Sequence, residues 1–324
     1  MKVGIIGVAH MHVYSYVECL KQLDVEIVGV YDRDEALASD FCKRSQLNAV
    51  KSLHELLESD IDTVLICSEN SYHCEYSLLA AKHKKHIIVE KPMALSVKEA
   101  DQMIHAAQVA DVKLIVAHPV RFTEPMQSLK KAVENGKVGA VVGINATNHG
   151  KIPGGWFVQS ELSGGGAIMD HTIHMADLVY WMFEPEIQSV YAMDGHGDTT
   201  IEVEDTGLLH IRFTNGMFMS LDTSWNRPAE YPVWGDASLM LISDKGFVHA
   251  DGFGRKGIAY TDKQSFHYYE DSMDMGLMRA CKRAIENDLP SPVPAKAGRF
   301  TVEMAELAYQ SIREQKIIIK GGEN

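Results

Sequence analysis

Two groups of polar residues in this sequence are spaced for proton-transfer chemistry. Asp170 and His174 are four residues apart in an apolar stretch that predicts a helix from about Gly166 to Phe183. That separation places their side chains about 40° apart, on one helix face and one turn from each other. Lys91 follows the apolar run His86–Val89, which predicts a strand. A carboxylate, an imidazole and an amine can together hold and move the proton of a hydroxyl group.

Each of these residues also has a purely structural interpretation. A lysine at the end of a strand usually lays its aliphatic stem along apolar surface and keeps its ammonium in water. Asp170 could cap or pair, and His174 could be a buried histidine with satisfied hydrogen bonds. The run Gly164–Gly166 favours the functional interpretation. Glycines let another group approach closely, and the positive end of a helix attracts an oxyanion or a cofactor.

The first 120 residues alternate short apolar runs with helical patterns. Five runs of four to six residues predict strands that are covered on both faces: Val3–Gly7, Glu26–Tyr31, Thr63–Cys67, His86–Val89 and Leu114–Ala117. Ser52 with Glu55, and Ser96 with Glu99, are spaced as capping boxes at the starts of helices. Strand–helix–strand units in series cross over right-handedly, so we expect an α/β fold with a doubly wound parallel sheet.

The pattern changes after residue 122, which predicts domains over 1–122 and 123–324. The second domain is predicted to be α+β, with helices flanking a large, mainly antiparallel sheet. Its elements are expected at Glu124–Glu134 (helix), Val138–Thr147 (strand), Asp205–Phe213 and Met217–Trp225 (a hairpin), and Phe300–Gln315 (closing helix). The hairpin rests on Asn215-Gly216, a favoured two-residue turn. Ser243 to Gly246 predict another hairpin turn.

Composition excludes several classes of protein. The 324 residues carry a net charge of −13, and such an acidic surface repels nucleic acid and anionic membranes. No apolar run is long enough to predict a transmembrane helix. The five cysteines are scattered and form no CxxC pair (Cys19, Cys42, Cys67, Cys74 and Cys281). We therefore expect a cytoplasmic protein with reduced, buried thiols that binds neither nucleic acid nor membrane.

The first predicted strand ends in a degenerate dinucleotide fingerprint. Gly7 fills its first glycine position, Ala9 replaces the second and His12 the third. The bulk of His12 requires either local repacking or a ring that faces the cofactor. Asp32 ends the second strand, 25 residues after Gly7, where a carboxylate would accept the ribose 2′-hydroxyl of NAD. Arg33 leaves NADP open, because a guanidinium suits a 2′-phosphate.

The sequence resembles the glucose–fructose oxidoreductase / inositol dehydrogenase / MocA (Gfo/Idh/MocA) family over nearly its whole length. The matching pieces, in order, are the opening strand and turn, Asp32, Glu69-Asn70 with His73, Glu90-Lys91-Pro92, Arg121-Phe122, Gly164 to His174 with Asp177, and Glu204-Asp205-Thr206. The Glu-Lys-Pro element and the helix with three glycines, Asp and His are its most specific parts.

The resemblance implies a Rossmann domain and a C-terminal domain whose open sheet supports a homodimer or homotetramer. It implies an oxidoreductase that uses NAD, with NADP possible. The reaction would move a hydride between the nicotinamide and a secondary alcohol of a sugar, sugar derivative or cyclic polyol. Lys91, Asp170 and His174 match the family's catalytic set. The cofactor-binding residues would be Gly7, Ala9, His12, Asp32, Arg33, Asn70, His73, Glu90, Lys91 and Arg121.

These residues can be given roles in alcohol oxidation. We expect His174 to act as general acid/base, and Lys91 to position the oxygen, stabilise the alkoxide and share or relay the proton. Asp170 would either anchor a neighbouring hydroxyl or orient the other two. With these three, Trp156 and His149 are candidates for substrate binding, although both could be ordinary loop residues.

Two further questions remain open at this point. His149, His171 and His174 near Asp170 raise the possibility of a metal, but their spacing matches no metal motif, so none is expected. Two alternative functions also fit the fold: a cofactor-binding regulator without turnover, and a redox-neutral enzyme that keeps its NAD tightly bound.

Overall fold

The computed structural model describes residues 1–254, 256–260, 264–268 and 272–322. The chain divides into two compact units. The first comprises Met1–His118, Gly155–Gly164 and Asp274–Glu303, and the second comprises Pro119–Gly154, Gly165–Met273 and Met304–Asn324. The predicted domain division after residue 122 remains a prediction.

The elements up to residue 118 are strands joined by one or two helices. The strands are β1 (Lys2–Ile6), β2 (Glu26–Tyr31), β3 (Thr63–Ile66), β4 (His86–Glu90) and β5 (Leu114–Ala117). The helices are α1 (His12–Gln22), α2 (Glu35–Ser45), α3 (Leu53–Glu58), α4 (His73–Lys82) and α5 (Val97–Ala110). The strands form one sheet in the order β2-β1-β3-β4-β5, and every pair in it is parallel. The predicted parallel sheet is confirmed.

A short segment pairs with the outer edge of β2 through a single bridge. Ala49 forms an isolated parallel bridge with Val30, and Val30 donates its N–H to the carbonyl of Asn48 at 2.9 Å. With this bridge counted, strands lie on both sides of β1 in the order of a dinucleotide-binding sheet. The order reverses between β1 and β3, so the carboxyl ends of these two strands mark the ligand-binding position of such folds.

Local signals set the helix starts in this unit. Ser52 accepts the N–H of Glu55 at 3.1 Å, and Ser96 accepts the N–H of Glu99 at 3.2 Å. The Glu99 carboxylate returns a hydrogen bond by accepting the N–H of Leu95 at 3.0 Å. Both serines are thus confirmed as helix caps, and they satisfy N–H groups that lack partners inside a helix.

The remaining elements complete both units. In chain order they are α6 (Glu124–Glu134), β6 (Val141–His149), α7 (Ser160–Ser163), α8 (Ala167–Phe183), β7 (Ile187–Gly195), β8 (Thr206–Phe213), β9 (Phe218–Asp222), β10 (Asp236–Ser243), β11 (Gly246–Asp251), β12 (Lys256–Tyr260), β13 (Gln264–Tyr268), α9 (Met273–Glu286), α10 (Ala295–Glu314) and β14 (Ile318–Ile319).

Seven of these strands form the second sheet, in the order β11-β10-β6-β9-β8-β7-β14. Every neighbouring pair is antiparallel except β6 and β9, so the largely antiparallel prediction is confirmed. The two predicted hairpins are β8–β9 and β10–β11. The strand predicted from Val138 instead begins at Val141, because Gly139 adopts a φ of +87° and turns the chain just before it.

The two faces of this sheet differ. On β8, Leu209 is buried beside Leu208, which is 42% exposed. A side chain on Gly207 would meet Ile168 of α8, so the buried face of the sheet packs against α8. The other face exposes large apolar side chains, among them Phe218. Within the part of the chain that the structure describes, no helix has the length and apolarity to cross a membrane.

Candidate active site

The turn after β1 depends on Gly7. This residue has a φ of +80°, and a Cβ there would collide with the backbone of Ser68 at the end of β3. His10 donates its backbone N–H to the Cys67 carbonyl at 3.0 Å, which holds the following loop against β3. Gly7 therefore fills the role expected of the first fingerprint glycine, and the loop lies where the strand order reverses.

Asp32 and Arg33 lie next to this loop. One oxygen of Asp32 accepts the N–H of Val8 at 2.7 Å, and the other accepts the N–H of Asp34 at 2.9 Å. The Arg33 guanidinium carbon lies 4.0 Å from the centre of the Tyr72 ring. The carboxylate is thus fixed beside the fingerprint, as binding of a ribose hydroxyl requires.

Asn70 and His73 follow β3. His73 is fully buried, with Nδ1 at 2.7 Å from the Pro92 carbonyl and Nε2 at 3.2 Å from the Ser68 carbonyl. Asn70 donates its amide to the Ser163 carbonyl at 2.8 Å. The amide oxygen of Asn70 is buried and has no hydrogen-bond partner among the described residues. Such an acceptor, with the Gly7 turn and Asp32, fits a dinucleotide rich in hydroxyl and amide donors.

The Glu-Lys-Pro element begins at the carboxyl end of β4. Glu90 is completely buried and Lys91 is 4% exposed, and the Lys91–Pro92 peptide is cis. His12 Nδ1 lies 2.9 Å from Glu90 Oε1, and the Tyr16 hydroxyl donates to the same oxygen at 2.5 Å. The sequence left two possibilities for His12, and the structure has its ring packed against Glu90.

The fingerprint loop also brings together metal-binding types of side chain. His10, His12 and Glu90 offer ligand atoms that all lie within 4.8 Å of one another. This set differs from the histidines near Asp170 that the sequence singled out. Since His12 is within direct hydrogen-bonding distance of Glu90, the two form an ion pair when the ring is protonated.

Trp156 contacts the fingerprint loop from a later segment of the chain. Its indole N–H donates to the Ala9 carbonyl at 3.1 Å, and its ring stacks on Phe157 at 3.9 Å between centroids. The hydrogen bond from Trp156 therefore fixes the backbone of the fingerprint loop at Ala9. The sequence offered Trp156 as a substrate-binding residue, and the contact to Ala9 puts it beside the predicted cofactor loop.

The start of α8 is closed by a carboxylate from its own unit. Glu204 accepts the N–H groups of Gly166 and Ile168, each at 3.0 Å, and the Tyr309 hydroxyl at 2.8 Å. A Cβ on Gly166 would collide with the Glu204 carbonyl oxygen. The oxyanion expected at this helix end is therefore supplied by the protein's own carboxylate, and a contact of this helix end with the cofactor stays a prediction.

Asp170 and His174 lie on successive turns of α8, as predicted. The Asp170 carboxylate accepts the indole N–H of Trp225 at 3.1 Å and lies 3.3 Å from His171 Nε2. The other nitrogen of His171 lies 3.1 Å from the Thr223 carbonyl. His174 is 8% exposed. The helix therefore presents an oriented carboxylate one turn before a largely buried imidazole.

Arg121 is paired inside the second unit. Its guanidinium donates two hydrogen bonds to Asp177, both at 2.6 Å, and both side chains are almost completely buried. The sequence assigned Arg121 to the cofactor. The structure has two of its donor nitrogens on Asp177, in the bidentate geometry that guanidinium and carboxylate favour.

His149 belongs to a network of charged residues. Its two ring nitrogens lie 2.7 Å from Asp236 and 3.1 Å from Asp222, and Arg227 donates to Asp236 at 2.8 Å. Burial lowers the pKa of His149, but its hydrogen bonds to the two carboxylates outweigh this and raise the pKa to about 9. Burial likewise opposes the ionisation of Asp236, yet the neighbouring imidazolium helps lower its pKa to about 2.

This network lies on the face of the sheet that α8 does not cover. Asp222 pairs with Leu208, and adjacent strand residues point to opposite faces, so Gly207 points to α8 and Asp222 away from it. His149 contacts Asp222 and so shares its face.

Sequence reasoning missed several residues of these sites. Tyr16 could have been suspected, since it stands four residues after His12 on the same helix. Glu204 was part of the resemblance, but no local pattern assigned it to the start of a helix almost forty residues earlier in the chain. The pairing of Trp225 with Asp170 had no sequence signal.

Both units match family models. Residues 1–118 match the oxidoreductase family with an NAD-binding Rossmann fold, and residues 126–249 match the GFO/IDH/MocA C-terminal domain. The first match agrees with the parallel sheet and the Gly7 turn. The chain therefore contains an NAD-binding Rossmann domain.

Named relatives and solved structures agree with these matches. A myo-inositol 2-dehydrogenase of Thermotoga maritima is 28% identical, with 98% of each chain covered. A D-glucoside 3-dehydrogenase of Escherichia coli is 31% identical over 69% of this chain and 70% of the relative. The crystal structure of GenD2 from gentamicin A biosynthesis, in complex with NAD, superposes with a TM-score of 0.89 at 23% identity, covering 99% of this chain and 97% of GenD2.

None of these findings favours the regulator or the redox-neutral enzyme over a dehydrogenase. Two family models and a relative above 30% identity lead to one conclusion: the chain belongs to the Gfo/Idh/MocA family of NAD-binding oxidoreductases.

Proposed function

We propose that this protein is a dehydrogenase that oxidises a secondary alcohol of a sugar, sugar derivative or cyclic polyol with NAD. The observation that carries the proposal is on α8, where Asp170 is fixed by Trp225 one turn before the largely buried His174. A fixed carboxylate beside an imidazole suits a substrate with neighbouring hydroxyl groups, one to be anchored and one to lose its proton.

The proposed roles follow from this chemistry. His174 removes the hydroxyl proton, and Asp170 accepts a hydrogen bond from an adjacent hydroxyl. Lys91, which is almost completely buried, positions the reacting oxygen and stabilises its negative charge. NAD, when bound, would supply the hydride acceptor. Gly7, Asp32 and the amide oxygen of Asn70 would hold the dinucleotide.

The substrate class rests on the relatives. One is named for a cyclic polyol and another for a glucoside, and both names describe dehydrogenases. Their common chemistry is an oxidisable hydroxyl in a polyhydroxylated molecule. The proposed substrate site does not include His149, whose ring nitrogens contact Asp222 and Asp236.

A substrate screen tests the proposal. Purified protein is mixed with NAD or NADP and a panel of inositols, sugars and glycosides, and the absorbance band of reduced nicotinamide is followed. We expect turnover with NAD on at least one of them, and its loss in Lys91→Ala and His174→Asn. Lys82→Ala and His105→Asn change exposed residues of the same types and serve as controls. Turnover that survives in Lys91→Ala at saturating substrate would contradict the assignment.

We also propose that the exposed sheet face joins two copies of this chain into a homodimer, or into the dimers of a homotetramer. Met193, Leu208, Phe218 and Phe247 on this sheet are 44%, 42%, 50% and 70% exposed. An apolar face of this kind favours association. Light scattering should give a dimer or tetramer, and Phe218→Glu should dissociate it, whereas Val109→Glu on α5 should not. A monomeric wild-type protein would contradict this proposal.

The cytoplasm is the proposed location. All five cysteines are buried thiols outside any disulfide, as expected in a reducing compartment. Fractionation of the source cells tests this, and recovery of the protein outside the cytoplasmic fraction would contradict it.

A further inference from the structure

His12 stands where the dinucleotide fingerprint has its third glycine, and it makes a specific contact there. It is the first residue of α1, and its Nδ1 lies 2.9 Å from Oε1 of Glu90 on β4. Tyr16 stands one turn further along α1 and donates its hydroxyl to the same oxygen at 2.5 Å. Two side chains from one face of the helix therefore converge on one carboxylate.

The other oxygen of Glu90 is committed as well. Oε2 accepts the backbone N–H of Lys91 at 2.8 Å. Glu90 is completely buried, and a buried carboxylate is stable only when its oxygens are paired and hydrogen-bonded. The contacts from His12 and Tyr16 thus hold the group that in turn holds the Lys91 amide.

The electrostatics support an ion pair. Burial raises the pKa of Glu90, but the attraction of His10 and His12 outweighs it and keeps the pKa well below its usual value. Burial lowers the pKa of His12, and Glu90 outweighs this effect in the opposite direction. Both groups are therefore driven towards their charged forms, in which the hydrogen bond between them is strongest.

We propose that His12 is a positioning residue for Lys91, acting through Glu90. It fixes the backbone at the start of the Glu-Lys-Pro element and so sets where the Lys91 ammonium stands for catalysis. The inference rests on the catalytic role proposed above for Lys91. It also accounts for the missing glycine: this chain replaces close helix–strand packing with a side chain that links α1 to β4.

A simpler alternative is that His12 only fills space near the loop. The two ideas differ for His12→Gly, which restores the third glycine of the fingerprint. If His12 is a filler, the variant keeps both NADH binding and kcat. If His12 positions Lys91, kcat falls about tenfold or more, as expected from loss of a charged hydrogen bond. The Kd for NADH and the KM for the alcohol then stay within about twofold, because the His12 ring acts through its contact with Glu90.

The His12→Asn variant isolates the hydrogen bond. The amide nitrogen of asparagine is the same number of bonds from Cβ as Nδ1 of histidine, so it can still donate to Glu90. We expect it to recover part of the kcat lost in His12→Gly, and added imidazole to do the same. His105→Asn, on the exposed side of α5, is the matched control. Equal kcat in wild type and His12→Gly, or a parallel loss of NADH binding, would overturn the inference.

A readout without turnover separates this inference from the proposed function. The backbone amide resonance of Lys91 in the NADH-bound protein should shift in His12→Gly, return towards the wild-type position in His12→Asn, and stay unchanged in His105→Asn. If the wild type oxidises no alcohol, the proposed function fails, and this resonance alone decides about His12. An unmoved Lys91 amide, or stoichiometric metal held by His12 and Glu90 in the purified protein, would overturn the positioning role.

Discussion

Trp225 donates its indole N–H to the carboxylate of Asp170 across 3.1 Å. Trp225 follows β9 of the second sheet, and Asp170 lies on α8, the helix that also carries the proposed acid/base residue His174. The hydrogen bond fixes the direction of a carboxylate that would otherwise choose among several rotamers. An aspartate held in this way can anchor a substrate hydroxyl at a defined point.

Trp225→Phe removes this hydrogen bond while keeping an aromatic ring. We expect kcat/KM to fall roughly ten- to a hundredfold, because a hydrogen bond to a charged group contributes about 1.5–3 kcal/mol. Steady-state kinetics on the substrate found by the screen measures this. Trp181→Phe is the control, since it makes the same change of side chain elsewhere on α8 and keeps the backbone carbonyl that accepts a hydrogen bond from Lys130. Equal losses in both variants would contradict the role of Trp225.

Arg121→Ala tests whether this arginine belongs to the cofactor site or to the core. Removing one partner of a buried bidentate pair leaves Asp177 as an uncompensated charge, so the free energy of unfolding should fall by about 3–5 kcal/mol. Urea unfolding measures the loss. The double variant Arg121→Met with Asp177→Leu should recover most of it. If Arg121→Ala instead keeps its stability and loses NADH binding, the cofactor assignment made from the sequence is correct.

The His149 network predicts a pH dependence of stability. Its pKa is raised from 6.5 to about 9 in the folded protein, so its stabilising contribution is complete below 6.5 and is lost as the pH rises through about 9. The difference in unfolding free energy between wild type and His149→Gln should therefore shrink over this interval. His105→Gln should show no such trend. A constant difference across the interval would mean that the histidine is not charged in the folded state.

Asp32→Asn tests cofactor choice. The amide oxygen can still accept the N–H of Val8, which Asp32 accepts at 2.7 Å, but the charge that repels a 2′-phosphate is gone. The ratio of kcat/KM for NADP to that for NAD should rise about tenfold. Asp40→Asn on exposed α2 is the control. An unchanged ratio would show that Asp32 does not face the 2′ position.

Local signals predicted much of the fold, and long-range contacts account for most of what was missed. Buried apolar runs located β1 to β5 within one or two residues, because a strand covered on both faces is apolar at consecutive positions. Ser52 and Ser96 located helix starts for the same reason. The partners of Arg121 and Asp170 could not be found this way, since Asp177 and Trp225 come from elsewhere in the chain.

The difference between local signals and long-range contacts also explains which site residues could be placed from the sequence. The spacing of Asp170 and His174 on α8 follows from helical periodicity. That His149 lies on the uncovered sheet face follows from strand register, which a one-residue shift would reverse. That Glu204 fills the start of α8 follows from a contact between residues far apart in the chain. The sequence offered His149 as a substrate-binding candidate from its position before the glycine run, and that position in the chain carries no information about the face on which the side chain lies.

The first unit takes residues 274–303 from near the end of the chain. Ser15 on α1 donates to Asp274 at 2.5 Å, and Lys282 donates to the Leu23 carbonyl at 2.7 Å. The first unit is therefore complete only after residues 274–303 have joined the part formed by residues 1–118. Fragments ending near residue 122 lack that late segment, and they would expose the surface of α1 that α9 covers in the finished molecule.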